Sequence, residues 1–302
     1  MTRFAVVCAE GMGDALIMHI ASYHLQREGH EVVTFTNHLH SFGKWLSGFT
    51  FQNQPLTSQV DLAFKDFDAI LLQHDNTPKA LSILSIHSQI PVYTFHTNYR
   101  PIKHGPLRIN YDFPFNQDLN MVANVKAGLK AFFSIDAGEG KNGLTPPNGL
   151  IFRKYPKRVA IHPTSTEKSR NWPKWKFLKV ANWLETKGYD PAFIAAPAAG
   201  DNWGAPVMPT LEDLTSFLYE SGAFLGNDSG PGHIASYLGL PHLIIGRQEK
   251  HMRLWRPGWH QGQIATPPSW MPNWNSFKTG KWNMFISPRN VIKLLKNTVL
   301  KN

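Results

Sequence analysis

The chain has a single cysteine, Cys8, among 302 residues. One thiol closes no intrachain disulfide and builds no cysteine-based zinc site, so stability must come from packing, and a reducing compartment suits such a chain. Long apolar runs are equally scarce. Nothing approaches the roughly eighteen apolar residues of a membrane-spanning helix, and "MTRFAVVCAEGMGD" loses its apolar run at the glycines too early for a signal peptide. Acidic residues are also few: 21 Asp+Glu stand against 31 Lys+Arg, a net charge of +10. A basic surface points to anionic partners, whether nucleic acid, anionic lipid or a phosphorylated substrate. Apart from a thin cluster from Arg153 to Arg158 the cations are scattered, and no dense basic helix is present, which argues against nucleic acid. There is no GxSxG and no P-loop. His19, His24, His38, His40, His87 and His104 lack the acidic or paired neighbours of a metal site and read as core or surface residues.

What is present is a globular composition, 42% apolar and 17% charged, on a chain long enough for two domains. "FAVVCA" (4–9) reads as a buried strand, "EGMGD" as a glycine turn, "ALIMHIASYHLQREG" (15–29) as a helix and "EVVTFT" (31–36) as a second strand. That order opens a doubly wound α/β unit. "FDAILLQ" (67–73) and "IPVYTFH" (90–96) add strands, and 118–135 adds an amphipathic helix. "DAGEGKNGLTPPNG", within 136–156, reads as a linker.

The pattern then restarts. Strands are expected at 158–163, 191–197, 223–228 and 241–246, with helices at 174–189, 211–221 and 232–240. A last helix should begin at Pro288, capped by Ser287. Residues 247–286 hold Trp255, Trp259, Trp270, Trp274 and Trp282, half of the ten tryptophans. They read as long ordered loops that either pack the second unit or meet a membrane interface.

Three stretches have the residue types for chemistry. "GNDSGPGHIASYLGLP" (226–241) leaves a strand and opens a helix, the place where α/β sheets bind ligands and where free N–H groups attract phosphate. Gly230 and Gly232 would let a ligand approach the backbone and His233 would donate to a phosphate oxygen, or else Asp228 or Ser229 is merely an N-cap and His233 packs locally. Asp228 repels phosphate and suits sugar hydroxyls better. "AEGMGDALIM" (9–18) is a weak dinucleotide fingerprint, lacking its third glycine. Asp14 there is either a helix N-terminal carboxylate or a general base. "HPTSTEKSRNWPKWKF" (162–177) sets Thr164, Ser165, Thr166, Lys168, Ser169 and Arg170 close together, a diphosphate cradle or a solvated loop.

The three stretches, in this order, resemble the glycosyltransferase family 9 heptosyltransferases, as do "MVANVKAGLKAFF" and "IIGRQEKHMRLWRPGW". The resemblance implies a GT-B fold, two Rossmann-like domains facing across a cleft. Residues 1–150 would be the acceptor domain and 151–287 the nucleotide-sugar donor domain, with the C-terminal helix 288–300 packing back on the first. It implies that Asp14 takes the proton from the acceptor hydroxyl, beside Gly13 and Glu10 on the acceptor side. Ser165, Thr166 and Arg170 would meet the donor diphosphate, Arg170 standing where the family usually has lysine. Asp228 would hold the sugar, and Ser229, Gly230 and His233 the phosphate. The implied reaction is inverting transfer of a heptose or related sugar, from ADP-heptose, to a lipopolysaccharide core. No metal or other cofactor is implied. The location would be cytoplasmic, peripheral at the inner membrane beside an anionic glycolipid acceptor, with no nucleic acid partner. A protein glycosyltransferase, a sugar-nucleotide epimerase and a non-catalytic nucleotide-sugar binder are the alternative readings.

Overall fold

The computed structural model describes residues 1–165, 167–194, 203–270 and 281–298. The chain divides into two units, 1–145 and 146–302. In the first, β1 (Arg3–Val7), α1 (Met12–Arg27), β2 (Glu31–Phe35), β3 (Thr50–Gln52), α2 (Val60–Phe64), β4 (Ala69–His74), α3 (Pro78–Ser85), β5 (Val92–His96), α4 (Pro101–His104), β6 (Asp112–Pro114) and α5 (Met121–Phe133) follow in order. The six strands are all parallel, in the order β3-β2-β1-β4-β5-β6. A parallel sheet covered on both faces needs strands without a polar side, and all six residues of β4, "AILLQH", are buried.

The second unit contains β7 (Tyr155–His162), α6 (Lys174–Thr186), β8 (Asp190–Phe193), α7 (Leu211–Tyr219), β9 (Ser221–Asn227), α8 (Gly230–Tyr237), β10 (His242–Ile245), α9 (Glu249–Trp255), β11 (Gln263–Ala265) and α10 (Pro288–Thr298). Its strands are also all parallel, in the order β11-β10-β9-β7-β8. β9, "SGAFLGN", is buried at every residue. Each order has one place where successive connections diverge: between β1 and β4 in the first sheet and between β7 and β9 in the second. Open α/β sheets bind ligands at the carboxyl ends of strands flanking such a place.

Several expectations change. The stretch read as a linker is largely packed structure. Asn142 is buried, its amide donates to the Leu16 carbonyl at 3.0 Å, and its own carbonyl meets His19 Nδ1 at 2.6 Å. Thr145 still donates its N–H to the Trp45 carbonyl, whereas Arg153 and Tyr155 already pair with Tyr219 and Glu220. The true connection is therefore the short stretch between, and the division falls at 145/146 instead of 150/151.

α10 places apolar residues in the core of its own unit. Val291 and Leu295 are fully buried in the second unit's core with Phe177, Leu184 and Leu243. Ser287 does cap it, its hydroxyl accepting from Asn290 N–H at 3.2 Å. The tryptophan-rich stretch includes α9 and β11 and so is more regular than loops. Trp282 sits in the core, Trp270 is 72% exposed, and Trp274 lies outside the described residues.

Candidate functional site

In the first unit, Gly11 precedes α1 and Asp14 is in its first turn, the helix beginning at Met12, three residues before the expected start at 15. A Cβ on Gly11 would come within 2.4 Å of Asp14 Oδ2, so glycine is needed there to leave room for the carboxylate. Gln73, buried at the end of β4, holds Asp14 from the neighbouring strand. Its amide nitrogen donates to Asp14 Oδ1 at 2.7 Å, and its amide oxygen accepts from Ala9 N–H at 3.1 Å. The carboxylate is thus fixed at the divergence of β1 and β4, half-buried, at the positive end of a 16-residue helix. Gly13 lies in the same turn. Glu10 is exposed, and Lys79 Nζ stands 3.7 Å from its carboxylate.

In the second unit the residues of "GNDSG" divide their work. Asn227 is fully buried. Its amide donates to the Pro163 carbonyl at 2.6 Å and accepts from Trp172 N–H at 3.0 Å, tying the ends of β7 and β9 to the loop before α6. Ser229 is the N-cap residue of α8, yet it does not cap. Its hydroxyl donates to the Asn227 carbonyl at 3.1 Å and accepts from His162 Nδ1 at 3.0 Å. Ser229 leaves α8 without a side-chain cap, but Pro231 carries no N–H and the Gly232 N–H goes to the Ser229 carbonyl at 3.0 Å, so what the helix start offers an anion is its positive dipole end more than a row of free donors. Burial pushes His162 down to about 4 and keeps it neutral.

Asp228 stands beside this turn with Oδ2 3.6 Å from His251 Nε2. A pocket lined by Arg170, Asp228, Ile245, Arg247 and His251 lies at the same carboxyl edge. Glu167 is on its cations: its carboxylate accepts from Arg170 Nε at 2.8 Å, lies 3.9 Å from Arg247, and takes the Ser169 hydroxyl. The Ser169 hydroxyl, and then Arg170, hold Glu167 below the usual carboxylate range. An anion entering this pocket meets two guanidiniums that a carboxylate already occupies. The loop is braced from beneath, Trp282 donating to the Ser169 carbonyl at 2.9 Å.

Of the residues expected here, Arg170, Asp228, Ser229 and Gly230 gather at one strand edge. Ser165 is close by, but its hydroxyl lies 2.8 Å from both the Glu167 carbonyl and Asn171 Oδ1 and is engaged inside its own loop. Thr166 lies outside the described residues. His233 is buried and pushed down to about 4 by desolvation, so any part it takes is that of a neutral hydrogen-bonding ring, not a cation. Gly232 serves packing: a Cβ there would lie 2.7 Å from Ile244 Cδ1, in the core, and not against a ligand.

Sequence reasoning missed Gln73, His162, Asn227, Arg247 and His251. Gln73 and Asn227 did leave a signal, since each is a polar residue ending an otherwise apolar strand. Arg247 and His251 lie in "IIGRQEKHMRLWRPGW", which entered the resemblance without a role for either, because only folding brings Arg247 and the start of α9 beside Arg170.

Residues 126–257 match the model of Glycosyltransferase family 9 (heptosyltransferase). Lipopolysaccharide heptosyltransferase 3 of Escherichia coli (strain K12) is 27% identical over 136 residues, 40% of this chain and 38% of that protein. The chain thus matches well under half the length of that curated relative. The crystal structure of the family 9 glycosyl transferase from Veillonella parvula superposes with a TM-score of 0.73 at 15% identity, over 100% of this chain and 98% of that one. The E. coli heptosyltransferase WaaC with ADP superposes with a TM-score of 0.65 at 14% identity, over 98% and 99%. The structural likenesses show the GT-B fold of two Rossmann-like units. The match to the family 9 model takes in the segment that holds the α8 start and the pocket beside it, and covers less than half of the chain.

Proposed function

We propose that the chain is an inverting glycosyltransferase that moves a heptose, or a closely related sugar, from ADP-heptose to an anionic lipopolysaccharide core acceptor. The observation that carries the reading is the α8 start. An uncapped helix N-terminus lies at the divergence of β7 and β9, beside a pocket lined by Arg170 and Arg247. The positive end of a helix and two guanidiniums suit a diphosphate better than a neutral ligand. ADP in the matched E. coli heptosyltransferase supports the choice of nucleotide.

In this account the diphosphate displaces Glu167 from Arg170 and Arg247, and Asp228 accepts hydrogen bonds from sugar hydroxyls. Asp14, oriented by Gln73, takes the proton of the acceptor hydroxyl as its oxygen attacks the anomeric carbon. The bond from that carbon to the diphosphate oxygen breaks, and the electron pair leaves with ADP. Attack opposite the leaving group inverts the anomeric configuration through an oxocarbenium-like transition state. The positive end of α8 and the two arginines oppose the charge that grows on the leaving oxygen.

The test is transfer from ADP-heptose to a heptose-deficient core acceptor, with the anomeric configuration of the product determined, on the natural chain and on Asp14→Asn. Inversion is expected, with turnover falling by about 10²–10⁴ in the variant while ADP affinity holds. Retained configuration, or normal turnover by Asp14→Asn, would contradict the base assignment.

A further inference from the structure

The segment after β5 turns its apolar side chains outward. Within ten residues, Ile102 is fully exposed, Ile109 is 84% exposed, and Leu107 and Tyr111 are exposed too. A scattered exposed leucine is ordinary, but a cluster on one short segment calls for a partner. From Tyr99 to Tyr111 the sequence "YRPIKHGPLRINY" holds three cations and no acid. Arg108 is turned inward, where it meets Asp112 at 2.7 Å and the Val92 carbonyl at 2.9 Å. Arg100 and Lys103 stay exposed beside Ile102.

The loop is held in this display by its own polar contacts. Tyr99 donates its hydroxyl to the Gly105 carbonyl at 2.6 Å, and His104 Nδ1 accepts from Arg100 N–H at 2.8 Å. The other His104 nitrogen reaches Asn76 Oδ1 at 2.5 Å, and the His104 ring packs beside His74 and His96 at the ends of β4 and β5. Gly105 and Asn110 take positive φ, 69° and 66°, which turns the chain between Ile102 and Leu107 and again after Ile109.

We propose that residues 99–111 form a membrane-docking loop, which sinks Ile102, Leu107 and Ile109 into the headgroup–acyl boundary of an anionic bilayer while Arg100 and Lys103 meet the lipid phosphates. Exposed aliphatic side chains beside unopposed cations are what interfacial anchoring requires, and a net charge of +10 favours an anionic surface over a neutral one. A protein partner would more often be met with a mixed-sign rim, and no acidic residue lies on this loop. The proposal gives a place to the glycolipid acceptor, and to that extent rests on the proposed function. The lipid binding itself rests on the loop alone.

The experiment is flotation of the full chain with vesicles of phosphatidylcholine alone and of phosphatidylcholine with phosphatidylglycerol, without donor or acceptor. Ile102→Glu/Ile109→Glu and Arg100→Gln/Lys103→Gln are compared with the natural chain, and ADP affinity is measured on each to show an intact fold. Binding to the anionic vesicles should weaken with salt and fall about tenfold or more in either double variant, with ADP affinity unchanged. Equal binding of all three proteins, or no binding to anionic vesicles by the natural chain, would overturn the docking loop even if transfer proceeds. Loss of transfer activity with vesicle binding intact would leave the loop standing and count against the proposed function instead.

Discussion

A carboxylate proposed as a base needs something that holds it in one place. Gln73 does this for Asp14: buried in the sheet, it uses its oxygen on Ala9 N–H and its nitrogen on one carboxylate oxygen. Gln73→Leu keeps the volume and removes both contacts. It should cost about 1–3 kcal/mol of stability through the unpaired Ala9 N–H. It should also move the acidic limb of the kcat pH profile upward, because the carboxylate loses a donor that favours its charged form. A chain destabilised by this amount with an unmoved pH profile would make Gln73 a packing residue only. His233 teaches a related lesson. Its ring is buried and pushed down to about 4, so positive charge at the proposed donor site has to come from Arg170, Arg247 and the helix end.

At the scale of elements, the site is a consequence of strand ends being tied together. Asn227 links the end of β9 to Pro163 after β7 and to Trp172 before α6, and so sets where Asp228, Ser229 and the Arg170 loop stand. Asn227→Ala strands a buried carbonyl and a buried N–H. Unfolding in urea should show a loss of about 2–4 kcal/mol, with ADP bound more weakly because the Arg170 loop is released. Unchanged stability would show that the strand ends are held by other contacts. Much of this level was legible in the sequence. β1, β4, β9 and the glycine-led helix starts announce themselves because parallel strands buried on both faces are apolar runs followed by turns. The packing of 136–144 was not legible, since glycine and proline signal turns equally in a linker and in a chain folded back on a helix. The partner of α10 was not legible either: an amphipathic face shows that something covers it, not which core does. Asp14, Asp228 and the α8 start stood out by type and position, while the Glu167 bridge and Arg247 depend on tertiary approach.

For the whole molecule, two parallel sheets each offer a ligand edge at one divergence of strand order, and the candidate residues fall at those two places. The first edge holds an oriented carboxylate and the second an anion pocket, a division that fits an acceptor side and a donor side. No described helix is long and apolar enough to cross a membrane. The central claim is that the second unit binds a nucleoside diphosphate through Arg170 and its neighbours. Calorimetric titration of the chain with ADP, UDP and GDP, repeated on Arg170→Ala, tests it most directly. The account predicts selective binding of ADP, weakened about tenfold or more without the guanidinium, in keeping with the about 1.5–3 kcal/mol of a charged hydrogen bond. Absence of binding to any of the three, or ADP affinity indifferent to Arg170→Ala, would contradict it.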